Sequence, residues 1–260
     1  MLQLACRAAA RPVLSMKITA TIITLNEERN IARAVESLRC CDEILIVDSG
    51  STDRTVELAE KLDVKVMEAS WLGYAAQKNW AAEHAGNEWI LSLDADEALS
   101  EALEAEIWSL KKTGPEYDAY TMPRLARYLG RWIYHSGWYP DRKVRLYRRD
   151  KAKFVGDFVH ESVQPSGRVG HLQSNILHFT CDSLSEHVKT VDRYTTLAAQ
   201  ELAARKMKTP LSHMIVDPAW TFVKSYFLQR GFLDGPEGLT IAYMAAFYTF
   251  LKYSKARNMS

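Results

Sequence analysis

The stretch Ile90-Leu91-Ser92-Leu93-Asp94-Ala95-Asp96-Glu97, ILSLDADE, decides how the chain reads. Its apolar run predicts a buried strand, and three carboxylates follow within four residues. Carboxylates are costly to desolvate without a partner, so the strand must end where something positive sits. Upstream lie three further strand patterns. Ile18 to Leu25 alternates threonine with apolar residues, EILIVD runs from Glu43 to Asp48, and Val64 to Met67 is a third short run. Between them NEERNIARAVESL places Ile31, Val35 and Leu38 at helical spacing. Asp53-Arg54-Thr55-Val56 opens another helix, with Thr52 or Asp53 as its N-cap, and GYAAQKNWAAEHA reads as a third. Four strands alternating with helices through short connections predict an α/β fold, a mostly parallel Rossmann-like sheet with helices on its faces.

After Glu97 the pattern changes. A helix over 101–111 precedes aromatic-rich strand patterns, among them YDAYTMPR, KVRLYRR and NILHF. These are expected to pair antiparallel and extend one sheet edge. Residues 183–206 carry amphipathic helical spacing, and an apolar, aromatic tail runs from 211 to 255. The expected organisation is a catalytic domain over 16–182 and a helical, membrane-associating region over 183–260. Residues 1–15 are Ala/Arg-rich and lack acids. They are expected to be a disordered tail or an upstream start, with Met16 the functional start; their apolar part is too short for a secretory signal.

Composition excludes several classes. The 33 Lys and Arg residues almost balance 32 Asp and Glu residues across 260 positions, unlike the basic excess of a general nucleic-acid binder. Cys6, Cys40, Cys41 and Cys181 form no C-x-x-C pair, which fits a reduced, cytosolic chain without a zinc site. No G-x-G-x-x-G follows the first strand and no G-x-x-x-x-G-K-[ST] occurs, so dinucleotide oxidoreductases and P-loop NTPases lose their main warrant.

Ligands of open parallel sheets bind at the carboxyl ends of strands. Three acid-bearing segments fall at such ends: TLNEE with Asn26 and Glu28, VDSGSTD with Asp48 and Asp53, and SLDADE with Asp94, Asp96 and Glu97. Acids gathered on one rim repel each other unless a cation joins them. A hard dication, Mg²⁺ or Mn²⁺, takes oxygen ligands and keeps places for phosphates. Each residue also has a plainer reading. The acids of SLDADE would cap the next helix, Glu28 would favour a helix dipole and Asp53 would be an N-cap. Lys78 would be a solvated helix lysine, and His178 a hydrogen-bonded strand histidine.

ITATIITLNEERNI, EILIVDSGSTDRTVELA, GYAAQKNWA and WILSLDADE, in this order and spacing, resemble the motifs of family 2 glycosyltransferases with the GT-A fold. YPDRKVRLYRR, FVGDFVHE and GFLDGPEG resemble the bacterial subgroup around lipopolysaccharide inner-core β-1,4-glucosyltransferases. The resemblance runs from about Met16 to the end. It implies an inverting, metal-dependent enzyme that moves a hexose, glucose from UDP-glucose, to a lipopolysaccharide-core or similar membrane-associated glycan. A polyprenyl-phosphate acceptor is the nearer rival, and a non-catalytic nucleotide-sugar-binding protein the rival of another class. The resemblance places Asn26, Glu28 and Asp48 around base and ribose, and Lys78 at the diphosphate. It makes Asp94 the first acid of a D-x-D element and Asp96 its metal-binding acid, with His178 completing the sphere of Mg²⁺ or Mn²⁺. Glu161 falls at the catalytic base, although His160 precedes it where the family pattern has another acid; Asp157 lies in the same segment.

Two further expectations concern surfaces. Lys143, Arg145 and Arg149 would share a strand face suited to phosphates. The uncharged run Gly238–Leu251, flanked by aromatics and by Lys224, Arg230, Lys252, Lys255 and Arg257, is shorter than the about 20 residues of a spanning helix. It reads as an interfacial helix on anionic lipid, or as a helix packed on the catalytic domain or a second copy. Partners expected on this basis are a UDP-sugar, a glycan or glycolipid acceptor and the inner face of the cytoplasmic membrane, with no nucleic acid.

Overall fold

The computed structural model describes residues 16–156, 161–205, 207 and 209–259. Along the chain, β1 (Ile18–Thr24), α1 (Ile31–Glu36), β2 (Glu43–Asp48), α2 (Thr55–Glu60), β3 (Lys65–Glu68), α3 (Tyr74–Glu83) and β4 (Trp89–Asp94) alternate as expected. Then come β5 (Glu97–Leu99), α4 (Glu101–Thr113), β6 (Ala119–Tyr128), β7 (Arg131–Ile133), β8 (Asp141–Arg148) and β9 (Ala152–Val155). β10 (Ser162–Pro165), β11 (Val169–His171), β12 (Ile176–Cys181), α5 (Leu184–Ala204), α6 (Leu211–Val223) and α7 (Gly235–Met259) complete the order. Two compact units are interleaved in sequence. One takes the described residues up to Ala95, Leu99–Thr121 and Val144–Ser174; the other takes Asp96–Ala98, Met122–Lys143 and the chain from Asn175 on.

In the first unit β1 is central. β2 and β4 flank it in parallel, with Ile22 opposite Ile46 on one side and Leu93 on the other. β3 continues the parallel order beyond β2. Ile18, Ala20, Ile22 and Thr24 are buried, and so are Thr19 and Thr21 on the opposite face, as parallel strands covered on both sides require. Ala81 and Ala82 of α3 each enter a different core cluster, Ala81 with Leu45 and Val47, Ala82 with Ile90, Tyr147 and Phe154. Their small side chains let the helix lie close against the strands. β8 joins β4 antiparallel, Ile90 opposite Tyr147.

Ser100 caps α4: its hydroxyl accepts from Leu103 N at 3.2 Å. Glu101 and Glu104 lie in the first turn, Lys111 and Lys112 in the last, and Gly114 ends the helix at φ +83°. The plain reading of SLDADE as this helix's cap is therefore corrected. The acids stop short of the helix, and Glu97 lies in a strand, fully buried.

In the second unit β6 pairs antiparallel with β7 but parallel with β12, Ala126 opposite His178. The expected antiparallel extension is thus only partly present, because β12 reaches β6 after a long excursion rather than through a hairpin. α7 packs against α5 and α6, and Ile241 joins Tyr128 and Ile133 in a core cluster. Among the described residues no helix is long and apolar enough to cross a membrane.

Candidate active site

The first acid-bearing rims close on each other. Asn26 sits at φ +57°, a left-handed conformation that asparagine tolerates. Its N–H donates to Ser51 Oγ at 2.8 Å, and its Oδ1 accepts from Thr52 N at 2.8 Å. Asp48 is buried, and its carboxylate accepts from Gly50 N (2.9 Å), Ser51 N (2.8 Å) and the Ser51 hydroxyl. The β1 and β2 exits are in this way tied into one rigid rim. Asp53 accepts from Thr55 N at 3.0 Å and from Glu28 N at 3.1 Å. It bridges two loops; the residue before α2 is Arg54, which makes no side-chain cap. Glu28 meets Arg54 at 3.3 Å on the surface, outside the first turn of α1. Gln77, buried on α3, donates to Ser49 Oγ at 3.2 Å and anchors that helix to the same rim.

A second cluster of the same unit surrounds Lys78. The side chain is only 3% exposed, which overturns the solvated-lysine reading. Its ammonium lies 2.7 Å from Asp94 Oδ1 and 3.0 Å from Glu161 Oε1. Arg145, also buried, donates to Asp94 Oδ2 at 2.6 Å. Burial alone would raise the Asp94 carboxyl. The Arg145 guanidinium and the Lys78 ammonium outweigh it and hold the carboxyl far below the usual carboxylate range. ILSLDADE thus ends on two cations from α3 and β8. The expected phosphate-facing basic face is corrected here. Arg145 turns inward to Asp94, Lys143 meets Asp141 at 3.1 Å, and Arg149 donates to Ala85 O at 2.8 Å behind α3. Strand alternation located these residues but not the buried acid that draws Arg145 in. Asp157 and His160 lie outside the described residues.

In the second unit Asp96 and His178 meet at 3.1 Å. Phe179 N donates to Asp96 O at 2.9 Å, so the backbone beside β12 holds this pair in register. Among the described residues no third His, Cys, Asp or Glu joins them as a metal-holding group. The pair still fits an ion that takes one or two carboxylates from protein and completes its shell with water and substrate phosphates. A carboxylate with an imidazole suits Mn²⁺ better than Mg²⁺.

His178 also lines a pocket of about 430 Å³ with Arg124, Trp138, Pro140, Asp141 and Thr180. Arg124 lies between Asp141 at 2.7 Å and buried Glu97 at 3.3 Å. Burial raises the Asp141 carboxyl, but Arg124 and Lys143 more than offset this and hold it below its ordinary value. The pocket's charges are compensated internally. The loop that carries Trp138 is fixed by Asp234, which is buried and accepts from Tyr134 N (3.1 Å) and His135 N (3.0 Å). This explains the aspartate of GFLDGPEG. Sequence reading missed Trp138, Arg124 and Asp141 as pocket residues, because only the turn and the β6–β12 pairing bring them together.

The profile described as glycosyl transferase family 2 matches residues 19–163. An uncharacterized glycosyltransferase of Rickettsia typhi is 32% identical over 94% of this chain and 88% of its own length. The lipopolysaccharide core biosynthesis glycosyltransferase LpsC of Rhizobium meliloti is 32% identical over 92% of both chains. Among solved structures, the mannosyltransferase PcManGT of Pyrobaculum calidifontis, in complex with GDP-Man and Mn²⁺, superposes with a TM-score of 0.53. It is 14% identical and aligns over 93% of this chain and 87% of that one, a likeness of fold.

Proposed function

Because the chain belongs to glycosyl transferase family 2 and has the α/β fold of GT-A enzymes, we propose that it is an inverting, metal-dependent hexosyltransferase. Its donor in this reading is a UDP-sugar, UDP-glucose first, and its acceptor a lipopolysaccharide-core or similar lipid-borne glycan. The observation that carries the reading is Lys78, a buried cation between Asp94 and Glu161. Two cations, Lys78 and Arg145, meet two carboxylates at this strand's carboxyl end, and a diphosphate that reaches Lys78 would compete with Glu161 for its ammonium.

The roles follow from the chemistry of each group. The rim of Asn26, Glu28 and Asp48 receives base and ribose. Lys78 supplies positive charge to the diphosphate, and Asp94 keeps that ammonium oriented. Asp96 and His178 would hold Mn²⁺ or Mg²⁺; when bound, such an ion neutralises charge that grows on the departing diphosphate. Glu161 takes the proton of the acceptor hydroxyl. While Lys78 stays on Glu161 the carboxylate oxygen is occupied by that contact, and a diphosphate that draws the ammonium away frees it. The pocket lined by Trp138 suits the acceptor sugar. Its compensated charges favour a neutral, hydroxyl-rich ligand over a phosphate, and an indole face suits the C–H face of a pyranose.

The acceptor class is supported by the likeness to LpsC, and an enzyme that works on a lipid-borne glycan belongs at the inner face of the cytoplasmic membrane. The test is UDP release from a panel of UDP-sugars with Mn²⁺, with and without lipopolysaccharide-core or polyprenyl-phosphate acceptors. Product identification separates the two acceptor classes. Absence of release from every donor under every condition would overturn the enzyme reading and leave a binding protein.

A further inference from the structure

Helix α6 and the turn after it carry an exposed apolar stripe. From Leu211 to Leu228 the exposed positions recur in adjacent pairs every four residues: 211/212, 215/216, 219/220, 223/224 and 227/228. A helix surface that repeats this way is one continuous stripe. Ile215, Val216, Trp220, Phe227 and Leu228 on it are each 55–64% exposed. The opposite side holds polar groups beside the aromatic pair Phe222 and Tyr226. His213 pairs with Asp217 at 2.7 Å, and Thr221 Oγ1 lies 3.3 Å from Thr249 Oγ1 of α7. An apolar stripe turned outward marks an interaction surface.

We infer that this stripe docks the enzyme on an anionic bilayer surface, α6 lying in the interface plane. The inference rests on the lipid-borne acceptor proposed above and names the element that reaches it. Charge chooses the occupant. The exposed residues from 211 to 233 include Lys224 and Arg230 and no Asp or Glu. A second copy packed on the stripe about a two-fold axis would bury these cations with no acid to answer them, which is costly. Anionic headgroups answer them directly. Trp220 suits the headgroup boundary, and Lys224 extends its ammonium to it from the stripe. The stripe is about 25 Å long at 1.5 Å per residue. The uncharged run of α7 turns Ile241, Ala242 and Met244 into the protein and exposes Tyr243, Phe247 and Phe250.

Flotation of the full chain with vesicles tests this, using phosphatidylethanolamine with phosphatidylglycerol against phosphatidylcholine alone. The wild type is expected to float with the anionic vesicles and not the neutral ones, and to be released by 0.5 M salt, where the Debye length is about 4 Å against about 30 Å at 0.01 M. The pair Ile215→Asp with Trp220→Glu should weaken flotation at least tenfold, and Lys224→Glu with Arg230→Glu several-fold. Thermal stabilisation by UDP with Mn²⁺, the probe for the donor site, measured on every variant, should stay at the wild-type value and shows that each is folded. Three outcomes overturn the inference: wild type that does not float, a double variant that floats unchanged, or a solution dimer that Ile215→Asp with Trp220→Glu dissociates while flotation persists. Loss of donor stabilisation in the wild type would instead strike the enzyme reading and leave flotation to decide this one.

Discussion

Lys78 Nζ stands 2.7 Å from Asp94 and 3.0 Å from Glu161, with its side chain almost wholly enclosed. One ammonium therefore joins the end of the strand that defines the fold to the carboxylate proposed as base. Replacing Lys78 by Met removes the shared cation and leaves two carboxylates facing each other beside Arg145. Breaking such a pair costs about 3–5 kcal/mol, so urea unfolding at pH 7 should show a fall of about 3 kcal/mol. Lys78→Arg, which keeps the charge, should lose much less stability. If Lys78→Met were as stable as wild type, the ion cluster would not be holding this strand end.

The acid limb of stability follows from Asp94. Its folded carboxyl titrates far below its unfolded value, so the ionised form contributes stability above the unfolded pKa, ~3.9. That contribution fades as the pH falls from there toward the folded pKa. Arg145→Met removes the partner that lowers this carboxyl most. The midpoint of acid unfolding should then move to higher pH, with Lys78 still in place. Thermal melts between about pH 1.5 and pH 5 would reveal it, and superposable wild-type and variant curves would refute the role given to Arg145.

The parallel half of the fold was legible because its physics is local. Alternating threonine and apolar runs, short turns and a parallel order need no distant partner to be read. Asp94 was legible at a strand end, Lys78 on a helix and Glu161 by resemblance, but not as one cluster. Nothing in AAQKN announces that its lysine is buried, since the acids that enclose it lie on β4 and beyond β9. Arg145 misled for the same reason: in a run of bases on a strand pattern, the inward residue is chosen by a buried carboxylate elsewhere. The outward stripe of α6 was hidden by composition, which records apolar content and not the side it faces. Where α6 carries Pro218 and passes into a π turn over 224–228, a simple helical count also loses the face.

Asp96 and His178 should set the metal requirement. Asp96→Asn and His178→Ala are each expected to weaken Mn²⁺ binding by at least the ~10- to 100-fold that disturbing a ligand's support costs. Paramagnetic resonance of Mn²⁺ titrated in the presence of UDP reads this without turnover. The two variants should differ in metal preference, because His178→Ala leaves only oxygen donors and moves the site toward Mg²⁺. Mn²⁺ affinity unmoved in both variants would place the ion elsewhere.

Trp138 offers a separate readout on the acceptor side. Trp138→Ala should raise the acceptor KM about tenfold, near the 1.4 kcal/mol that a tenfold change represents. Slow release of UDP without acceptor should be unchanged, because in this reading Trp138 meets the acceptor sugar. A fall in both rates together would show that the pocket serves the donor.

Glu161 is the sharpest test of chemistry against binding. Glu161→Gln keeps shape and a hydrogen-bonding oxygen near Lys78 but cannot take a proton. General-base catalysis contributes typically ~10²- to 10⁴-fold, so kcat should fall by that much. The same change relieves Lys78 of one of its two carboxylates and leaves the ammonium more strongly drawn to a diphosphate. Donor affinity by calorimetry should therefore hold or tighten while turnover collapses. A structural role alone would lower both, and a bystander would lower neither. Glu161→Asp retains a carboxylate on a shorter arm and should recover part of the rate, because proton transfer needs the base within hydrogen-bond reach. Should Glu161→Gln transfer sugar at the wild-type rate, the base must be sought in the segment 157–160, where Asp157 and His160 are the groups able to accept a proton.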